Sequence, residues 1–418
     1  STMIYPRELY LKRIRGFYDH PELIKVITGI RRCGKSSLLE SIKDELRARG
    51  VAETQIIHFN LDKRPYKAVK APSQLEALIE EKRAQASDSL VYLFIDEIQN
   101  VKGFEPLIES YRLEGNVSLF ITGSNSYLLS GELVTKLTGR YVEFEMLPLC
   151  FEEYLGMKRF FHKEVDAERE KEFASYLAEG GFPGALLFDE NEDKRNYVSA
   201  LVKEIIEKDV RKRLKIRDKD LFDALLDFMV GNYGATMDRI SLHKAFSAHY
   251  GKPVRSQTID RYLQGLLDAK ILYECKRFDT KSKTALRGEK KYYLADLSLR
   301  SQGLIDYGPA LENVLFQFHK GKGDAVSIGK VGKLECDFIL RRGADYSYLQ
   351  VAMTLHENAP RVLGSQKKTL LDREYEPLER INDNYPKYVL TLDRFLVNRS
   401  GITHQNLLDY FAENMPKI

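Results

Sequence analysis

The residues of this chain best suited to chemistry form a short glycine-containing loop near the N-terminus. Residues 29–36 read GIRRCGKS and fit the pattern G-x-x-x-x-G-K-[ST] at every position. In that pattern the glycines let backbone N–H groups approach phosphate oxygens. Lys35 is then expected to reach the β- and γ-phosphates of a nucleoside triphosphate, and the Ser36 hydroxyl to ligate Mg²⁺. The predicted nucleotide-binding residues are Gly29, Ile30, Arg31, Arg32, Cys33, Gly34, Lys35, Ser36 and Ser37.

The residues on either side of the loop predict the strand and the helix that such a loop requires. An apolar run, residues 23–28, precedes it, and Leu38, Leu39, Ile42 and Leu46 follow with helical spacing. A helix N-terminus at this point adds a dipole that favours bound anions. A glycine turn before an ordinary basic helix is the weaker alternative. Either Arg31 or Arg32 is expected to face the nucleotide or the acidic residues described next.

Two acidic residues, Asp96 and Glu97, follow a second apolar run. Residues 91–95 read VYLFI, which is typical of a parallel strand buried on both faces. The carboxyl ends of parallel strands form the ligand-binding edge of an open α/β sheet. We expect Asp96 to hold Mg²⁺ through water and Glu97 to polarise the water that attacks the γ-phosphate. A solvated acidic turn is the alternative.

Polar residues also end two other predicted strands. Residues 117–122 form an apolar run that leads into Gly123, Ser124, Asn125 and Ser126. Asn125 or Ser124 is expected to orient the attacking water or to contact the γ-phosphate, and an ordinary turn is the alternative. Asp62 follows the second strand near the same edge, where it either supports the residues that contact the nucleotide or, as is more common, caps a turn.

The composition is that of an ordinary folded protein. Of the 418 residues, 43% are hydrophobic and 30% are charged, and the formal net charge is +4. No apolar run approaches the roughly 18 residues of a membrane span. The four cysteines are widely spaced and form neither a metal pattern nor a disulfide framework. These features predict a cytoplasmic protein that does not enter a membrane.

The alternation of strands and helices predicts an α/β fold with a parallel-sheet P-loop core. The predicted strands are residues 24–28, 55–60, 91–95, 117–122 and 141–146, and the predicted helices are residues 3–20, 36–49, 73–85 and 105–113. The domain prediction is a core at 1–155, a helical lid at 156–215, a winged-helix domain at 216–300 and a nuclease-like α/β domain at 301–418.

Residues 216–300 contain three predicted helices and two predicted strands. The helices cover 221–232, 241–248 and 256–267, with Ser256 as the expected N-cap, and the strands cover 271–278 and 291–294. A long basic connection, 279–290, is expected between the strands. A basic helix and wing suit contacts with DNA phosphates and grooves, although packing against protein is an equal alternative. The candidate DNA contacts are Arg255, Gln257, Arg261, Lys281, Lys283, Arg287, Lys290 and Lys291.

The last section contains part of a Mg²⁺ nuclease pattern. Glu312 lies on a predicted helix, Asp337 enters a strand, and Gln350 lies on the next strand. Ala352 occupies the position where such a site needs a lysine, and alanine cannot polarise water or phosphate. We therefore expect a structural or binding version of this fold that is inactive as a nuclease.

Together these motifs resemble a family of prokaryotic AAA+-type ATPases. Its members carry a C-terminal domain of unknown function with a winged helix and a degenerate PD-(D/E)xK nuclease-like fold. The segments that carry the resemblance are TGIRRCGKSSLL (28–39), YLFIDEIQN (92–100), FITGSNSYLLS (120–130), KLTGRYVEFEMLPLCFEEYL (136–155), GGFP (180–183), KYYLADLSLR (291–300), ALENVLF (310–316), ECDFIL (335–340), YLQVAM (348–353) and YPKYVLTLD (385–393).

The resemblance implies ATP as the nucleotide and Mg²⁺ as the cofactor. It also implies a catalytic or intersubunit role for Arg140, as an arginine finger that acts after lid closure or toward a neighbouring copy in a homo-oligomer. A structural arginine paired with an acid is the alternative.

The expected function is Mg²⁺-dependent ATP binding and hydrolysis that drives a conformational switch on DNA or on a protein partner. A DNA-binding regulatory module with a slow timer ATPase is the first alternative, and a Mg²⁺-dependent nuclease is the second. A nucleotide kinase is disfavoured because the paired acids and the polar end of the fourth strand favour hydrolysis.

Overall fold

The computed structural model describes residues 3–129, 139–300, 304–356, 361–363 and 366–417. Its N-terminal part contains a five-stranded sheet in the order β2-β3-β4-β1-β5, with every neighbouring pair parallel. This is the parallel sheet of the predicted α/β fold, and all five predicted strands are confirmed. The strands are β1 (Ile24–Gly29), β2 (Ile56–Asn60), β3 (Val91–Asp96), β4 (Val117–Gly123) and β5 (Tyr141–Met146).

Helices cover both faces of this sheet. The helices are α1 (Glu8–Ile14), α2 (Lys35–Ala48), α3 (Pro72–Arg83) and α4 (Glu105–Glu114). Alternate residues of one strand point to opposite faces, so Ile27 packs in the apolar cluster with α1 and α2, whereas Val26 packs in the cluster with α3 and α4. Burial on both faces explains why β1, β3 and β4 are buried along their whole length.

The predicted helix over residues 3–20 is wrong in its first part. The chain is not helical before Glu8, and a short 3₁₀ turn, Arg15–Phe17, follows α1. Pro6 explains the late start because a proline disfavours the helical conformation of the residue before it, here Tyr5.

Within the described range 139–300, six α-helices follow the parallel sheet. They are α5 (Phe151–Phe160), α6 (Arg169–Glu179), α7 (Asn191–Ile205), α8 (Lys219–Gly231), α9 (Arg239–Tyr250) and α10 (Ser256–Asp268). A π-helical turn, Ile206–Arg211, continues directly from α7. Helix α10 begins at Ser256 with Arg255 as its N-cap residue, so the predicted N-cap was one residue late. In the described part of the chain, no helix combines the length and the apolar character of a membrane span.

The second sheet has eight strands in the order β15-β14-β11-β10-β9-β7-β8-β6 and is mixed. Helices α11 (Tyr307–Gly321), α12 (Leu370–Glu379) and α13 (Leu407–Glu413) accompany it, and a separate pair, β12 (Arg361–Leu363) and β13 (Gln366–Lys368), lies outside it. Its strands are β6 (Thr236–Met237), β7 (Leu272–Asp279), β8 (Thr284–Leu294), β9 (Ala325–Val331), β10 (Leu334–Arg342), β11 (Asp345–Val351), β14 (Lys387–Thr391) and β15 (Thr403–Asn406).

The predicted long connection at 279–290 is wrong. Strand β8 begins at Thr284, so only residues 280–283 separate it from β7. The basic residues of β8 hid the strand because its first half is largely exposed and does not need apolar side chains. Strand β7 also pairs with β9, so one sheet continues across the predicted boundary at residue 300. The winged-helix identity and the division into domains stay predictions.

Candidate nucleotide-binding site

A cavity of about 900 Å³ lies at the carboxyl edge of the parallel sheet. This volume is within the range of small-molecule sites, roughly 300–1,000 Å³. Part of the lining is polar, from the loop after β1 and from residues that follow β2 and β3. The other part is apolar and suits a planar base. The polar lining includes Arg31, Arg32, Gly34, Lys35, Ser36, Ser37, Asp62 and Glu97, and the apolar lining includes Ile4, Tyr5, Leu149, Met157, Phe161, Pro183 and Leu187.

Two glycines permit the conformation of the loop. Gly29 has φ +155°, and a Cβ atom there would lie 2.5 Å from the Met146 carbonyl oxygen. Gly34 has φ +117° and is the N-cap residue of α2. Both positions therefore exclude ordinary side chains. Helix α2 begins at Lys35, so its N-terminal N–H groups point toward the cavity edge, as anion binding requires.

The Lys35 ammonium lies within the loop. The side chain is buried, and its Nζ donates to the Gly29 carbonyl at 2.7 Å and to the Ile30 carbonyl at 3.1 Å. These carbonyls hold the positive charge beside the backbone N–H groups that the pattern assigns to phosphate. The position agrees with the predicted role, which stays a prediction.

Ser36 and Asp96 are in direct contact. The Ser36 hydroxyl donates to Asp96 Oδ1 at 3.1 Å, and the Thr122 hydroxyl donates to the same oxygen at 2.9 Å. Hydroxyl and carboxylate oxygens are the ligands that Mg²⁺ prefers. The residues present thus fit the predicted cation, and the structure brings the two predicted ligands together.

His58 is a member of the site that the sequence patterns missed. Its Nε2 lies 2.8 Å from Asp96 Oδ2, while Lys43 and Glu40 flank Nδ1. Burial lowers the pKa of His58, but the hydrogen bonds to Asp96 and Glu40 outweigh it and leave the pKa raised. The imidazole therefore fixes the orientation of the Asp96 carboxylate. The sequence contains one signal of this role. His58 lies two residues before Asn60 on β2, so the two polar side chains lie on the same face of the sheet.

Glu97 has a left-handed backbone, with φ +56°. Its N–H donates to the Thr122 hydroxyl at 3.1 Å, and its Oε2 accepts from the Gln99 amide and from the Ser124 hydroxyl. Non-glycine residues in this region are strained and cluster at functional sites. Burial raises the pKa of the Glu97 carboxyl, and nearby Lys35 and Arg31 offset this rise only in part.

The two candidate residues after β4 have different surroundings. Ser124 Oγ lies 3.1 Å from Glu97 Oε2 and 2.9 Å from Asp209 Oδ1. Asn125 donates to the Asp209 carbonyl at 2.9 Å and accepts from Arg213 at 2.7 Å. Ser124 is thus the candidate beside the acidic pair, and Asn125 connects β4 to the π-helical turn.

The two arginines of the loop also differ. Arg31 is buried and forms a two-pronged ion pair with Asp209, at 2.9 and 2.8 Å, and a bond to Asp62 at 2.7 Å. Arg32 is exposed and reaches Glu204 at 3.3 Å. The expected turn-cap role of Asp62 is wrong, because the Asn60 side chain accepts from the Asp62 N–H and the Asp62 carboxylate binds Arg31 and Asn100 instead.

Comparison with known proteins places this geometry in a family. Residues 21–155 match the family model of an AAA domain, and residues 170–305 match that of a domain of unknown function. An uncharacterized protein of Haemophilus influenzae is 33% identical over 398 residues, which are 94% of each chain. The chain belongs to the family of this Haemophilus protein. An uncharacterized protein of Methanocaldococcus jannaschii is 29% identical over 84% of this chain and 80% of its own.

Solved structures resemble the chain more distantly. The Walker-type ATPase of Pyrococcus abyssi has 17% sequence identity and a TM-score of 0.48, covering 71% of this chain and 95% of its own. The AMPPCP-bound DnaA of Aquifex aeolicus has 16% identity and a TM-score of 0.32, covering 62% and 86%. The assignment of the AAA domain comes from sequence and from the five-stranded parallel sheet.

Arg140 of the AAA domain lies at the edge of the sheet opposite the loop. Its carbonyl accepts from the Ile24 N–H, where β1 starts, whereas the loop follows the other end of β1. Five strand residues span about 17 Å. The Arg140 guanidinium is 53% exposed and pairs with Glu109 at 3.3 Å. An arginine-finger role at its own chain's site does not fit this position, and a role toward a neighbouring copy stays a prediction. Thr138 of the same motif is outside the described residues.

Arg7 fastens the loop of the AAA domain to the chain that follows β5, and the sequence patterns missed it. Its guanidinium binds both Glu153 carboxylate oxygens, at 2.8 and 2.9 Å. It also donates to the carbonyls of Cys33, at 2.7 Å, and Leu147, at 2.8 Å. The side chains of Arg7 and Glu153 are both buried. One cation thus joins the N-terminal segment, the loop and α5.

Arg7→Ala is expected to lower the free energy of unfolding by about 3 kcal/mol, because Glu153 is left as a buried charge without its partner. Urea denaturation measures this change. Arg15→Ala is the control, since Arg15 is more exposed and pairs with Glu8 and Glu45 near the surface, where such pairs contribute about 1 kcal/mol or less. Equal losses in the two variants would contradict the role of Arg7.

The carboxylates predicted for a nuclease site form hydrogen bonds with side chains and backbone groups of the same chain. Glu312 accepts from Lys291 at 3.0 Å and from Tyr293 at 3.1 Å. Asp337 accepts from the Val351 N–H at 2.8 Å, and Gln350 spans two backbone groups, the Asp337 N–H and the Glu374 carbonyl. Burial, with nearby Glu312 and Glu374, raises the pKa of Asp337 well above its usual range. Within the described ranges, no three His, Cys, Asp or Glu side chains are arranged to hold a metal ion. The predicted inactivity stays a prediction.

Proposed function

We propose that the protein binds ATP with Mg²⁺ in the 900 Å³ cavity and hydrolyses the γ-phosphate. The observation that carries this proposal is the contact of Ser36 with Asp96 at 3.1 Å, beside the buried Glu97 and at the end of the phosphate-binding loop. The match of residues 21–155 to an AAA domain supports the same reading.

The residues in and next to the cavity divide the tasks of this reaction. The loop N–H groups and Lys35 bind the phosphates, and the apolar residues around Tyr5 and Phe161 exclude water from the base. Mg²⁺, when bound, neutralises charge on the β- and γ-phosphates. Ser36 and Asp96 would hold it, and His58 fixes the Asp96 carboxylate.

Glu97 is the general base in this proposal. Its carboxylate would take a proton from the attacking water, while the Ser124 hydroxyl and the Gln99 amide keep the side chain in position. Because burial raises the pKa of Glu97, the carboxyl is a stronger base than an exposed glutamate, which suits general-base catalysis near neutral pH.

Phosphate release from ATP, measured against pH in the presence of Mg²⁺, tests the reaction and the base together. A general base must be ionised, so kcat/KM is expected to fall as pH drops through the raised pKa of Glu97. The acid limb should therefore lie above the range of an ordinary glutamate, about 4.3. Circular dichroism at each pH checks that the chain stays folded. An acid limb at the ordinary value would contradict the role of Glu97, and absence of ATP-dependent phosphate release would contradict the function.

A conformational switch acting on DNA is a second, finer proposal. Arg255, Gln257 and Arg261 lie exposed on or next to α10, and Lys281 and Arg287 are exposed on the β7–β8 hairpin. The three other candidates have partners within the chain instead. Lys283 binds Asp383 at 2.9 Å, Lys290 binds Glu274 at 3.4 Å, and Lys291 binds Glu312 at 3.0 Å. DNA binding would therefore use the exposed set alone, and a protein partner remains the alternative occupant of this surface.

Lys281→Gln combined with Arg287→Gln is expected to weaken DNA binding and to reduce the salt dependence of the affinity. Each lost phosphate contact lowers the slope of log K against log salt by about 0.9, so the double variant should lose close to two units. Fluorescence anisotropy with a duplex at several salt concentrations measures the slope. Lys102→Gln, an exposed lysine of the AAA domain, is the control. No binding at low salt would favour a protein partner.

A further inference from the structure

Asp209 gathers contacts from two separate parts of the proposed ATP site. Its carboxylate binds Arg31 of the phosphate-binding loop at 2.8 and 2.9 Å and the Ser124 hydroxyl at 2.9 Å, and its carbonyl accepts from Asn125. Asp209 is 4% exposed. A buried carboxylate needs such partners, so the position of the π-helical turn that carries Asp209 depends on the loop and on the end of β4.

Arg31 faces the reacting edge of the cavity. Its Nη2 lies 3.9 Å from Glu97 Oε2, and the residue lines the cavity with Lys35 and Ser36. Four acidic side chains lie within 4 Å of this one guanidinium: Asp62, Glu97, Glu204 and Asp209. A γ-phosphate beside Glu97 would be a fifth anion close to it, and an arginine binds phosphate and carboxylate with the same two-pronged geometry. The γ-phosphate and Asp209 would therefore compete for Arg31.

The turn that carries Asp209 is suited to move when that pair breaks. Residues 206–211 form a π-helix between α7 and α8, a rare and less stable form that marks functional positions. The same segment packs against α10. A Cβ atom at Gly265 of α10 would lie 3.4 Å from Val210 and 2.9 Å from Leu214. A displacement of the turn would therefore change the packing of α10, the helix next to the exposed basic residues.

We propose that Arg31 distinguishes ATP from ADP by exchanging Asp209 for the γ-phosphate, and that Asp209 passes this exchange to the turn at 206–211. The inference rests on the proposed ATP site and adds a residue that reads the γ-phosphate. ADP leaves the ion pair in place because it has no γ-phosphate. With ATP, the γ-phosphate binds the Arg31 guanidinium. Asp209 then lacks its cationic partner and lies near a second anion, so the turn shifts.

Equilibrium binding of ADP and of a non-hydrolysable ATP analogue, with Mg²⁺, tests the first half. Arg31→Lys keeps the charge but loses the two-pronged geometry. This substitution should lower the affinity for the analogue by about tenfold, within the usual range of coupling between sites. The affinity for ADP should change less than about threefold. Asp209→Asn should raise the affinity for the analogue relative to that for ADP, because Arg31 no longer has to leave a carboxylate. Arg112→Ala, a half-buried arginine paired with Glu109 on α4, should change neither affinity.

Hydrogen–deuterium exchange of the full chain tests the second half. In the wild type, residues 206–211 should exchange faster with the ATP analogue than with ADP. That difference should shrink in Arg31→Lys, and in Asp209→Asn exchange should be fast with both nucleotides. Equal exchange with both nucleotides in the wild type, or equal losses of analogue and ADP affinity in Arg31→Lys, would overturn this inference alone. Failure of the wild type to bind either nucleotide would overturn it together with the proposed function.

Discussion

Lys35→Met is expected to abolish nucleotide binding at concentrations that saturate the wild type. The substitution removes the ammonium that the Gly29 and Ile30 carbonyls hold inside the phosphate-binding loop. A buried charge-assisted contact with phosphate has no substitute in a thioether, so the affinity for ATP should fall by at least about 100-fold, equivalent to about 2.7 kcal/mol. Isothermal titration with ATP and Mg²⁺ measures the change.

Lys25→Met is the matched control for this substitution. Lys25 lies on β1, the strand before the loop, and is buried like Lys35. Its Nζ, however, bonds to the His20 carbonyl and the Ser118 hydroxyl at the other edge of the sheet. Burial lowers the pKa of Lys25 to about 7, so its charge is already disfavoured and methionine is a mild replacement. ATP affinity should stay at the wild-type value in Lys25→Met. A similar loss in both variants would mean that Lys35 acts through folding alone.

Glu97→Gln is expected to lower kcat by about 10²–10⁴-fold, the usual contribution of a general base, while ATP affinity changes little. The amide keeps the shape of the carboxyl and its contact with Ser124 but cannot accept a proton. Single-turnover phosphate release together with equilibrium binding separates the two effects.

Glu152→Gln is the control for Glu97→Gln. Burial also raises the pKa of Glu152, but this carboxyl pairs with Arg169 and does not line the cavity. Its replacement should leave turnover unchanged. Turnover of Glu97→Gln within twofold of the wild type would remove Glu97 from the reaction.

The sheet and its reactive edge could be predicted because each leaves a local pattern. A parallel strand covered on both faces is a continuous apolar run, as β3 and β4 are. Polar residues that follow such runs, Asp96 and Ser124 among them, come together at one edge without any knowledge of side-chain contacts. The glycine spacing of the loop added the chemistry.

The partners of these residues could not be predicted, because they lie far away in the chain. Asp209 is 178 positions from Arg31, and Glu153 is 146 positions from Arg7. A single acidic residue on a helix has no local mark of such a contact. His58 left only the alternation of β2 as a signal.

At the β7–β8 hairpin a local pattern is present but predicts the wrong structure. The lysines and the arginine between residues 279 and 290 predict a loop, although an exposed strand tolerates charged side chains. Its pairing with β7 and the pairing of β7 with β9 are contacts that no local pattern expresses.

A crystal structure with a non-hydrolysable ATP analogue and Mg²⁺ tests the central claim most directly. The expected result is electron density for the triphosphate along residues 29–36, with Lys35 on its phosphates and the cation between Ser36 and Asp96. The base should contact the apolar lining near Tyr5. Density for the analogue elsewhere, with the loop N–H groups and Lys35 bonded only to protein, would contradict the claim.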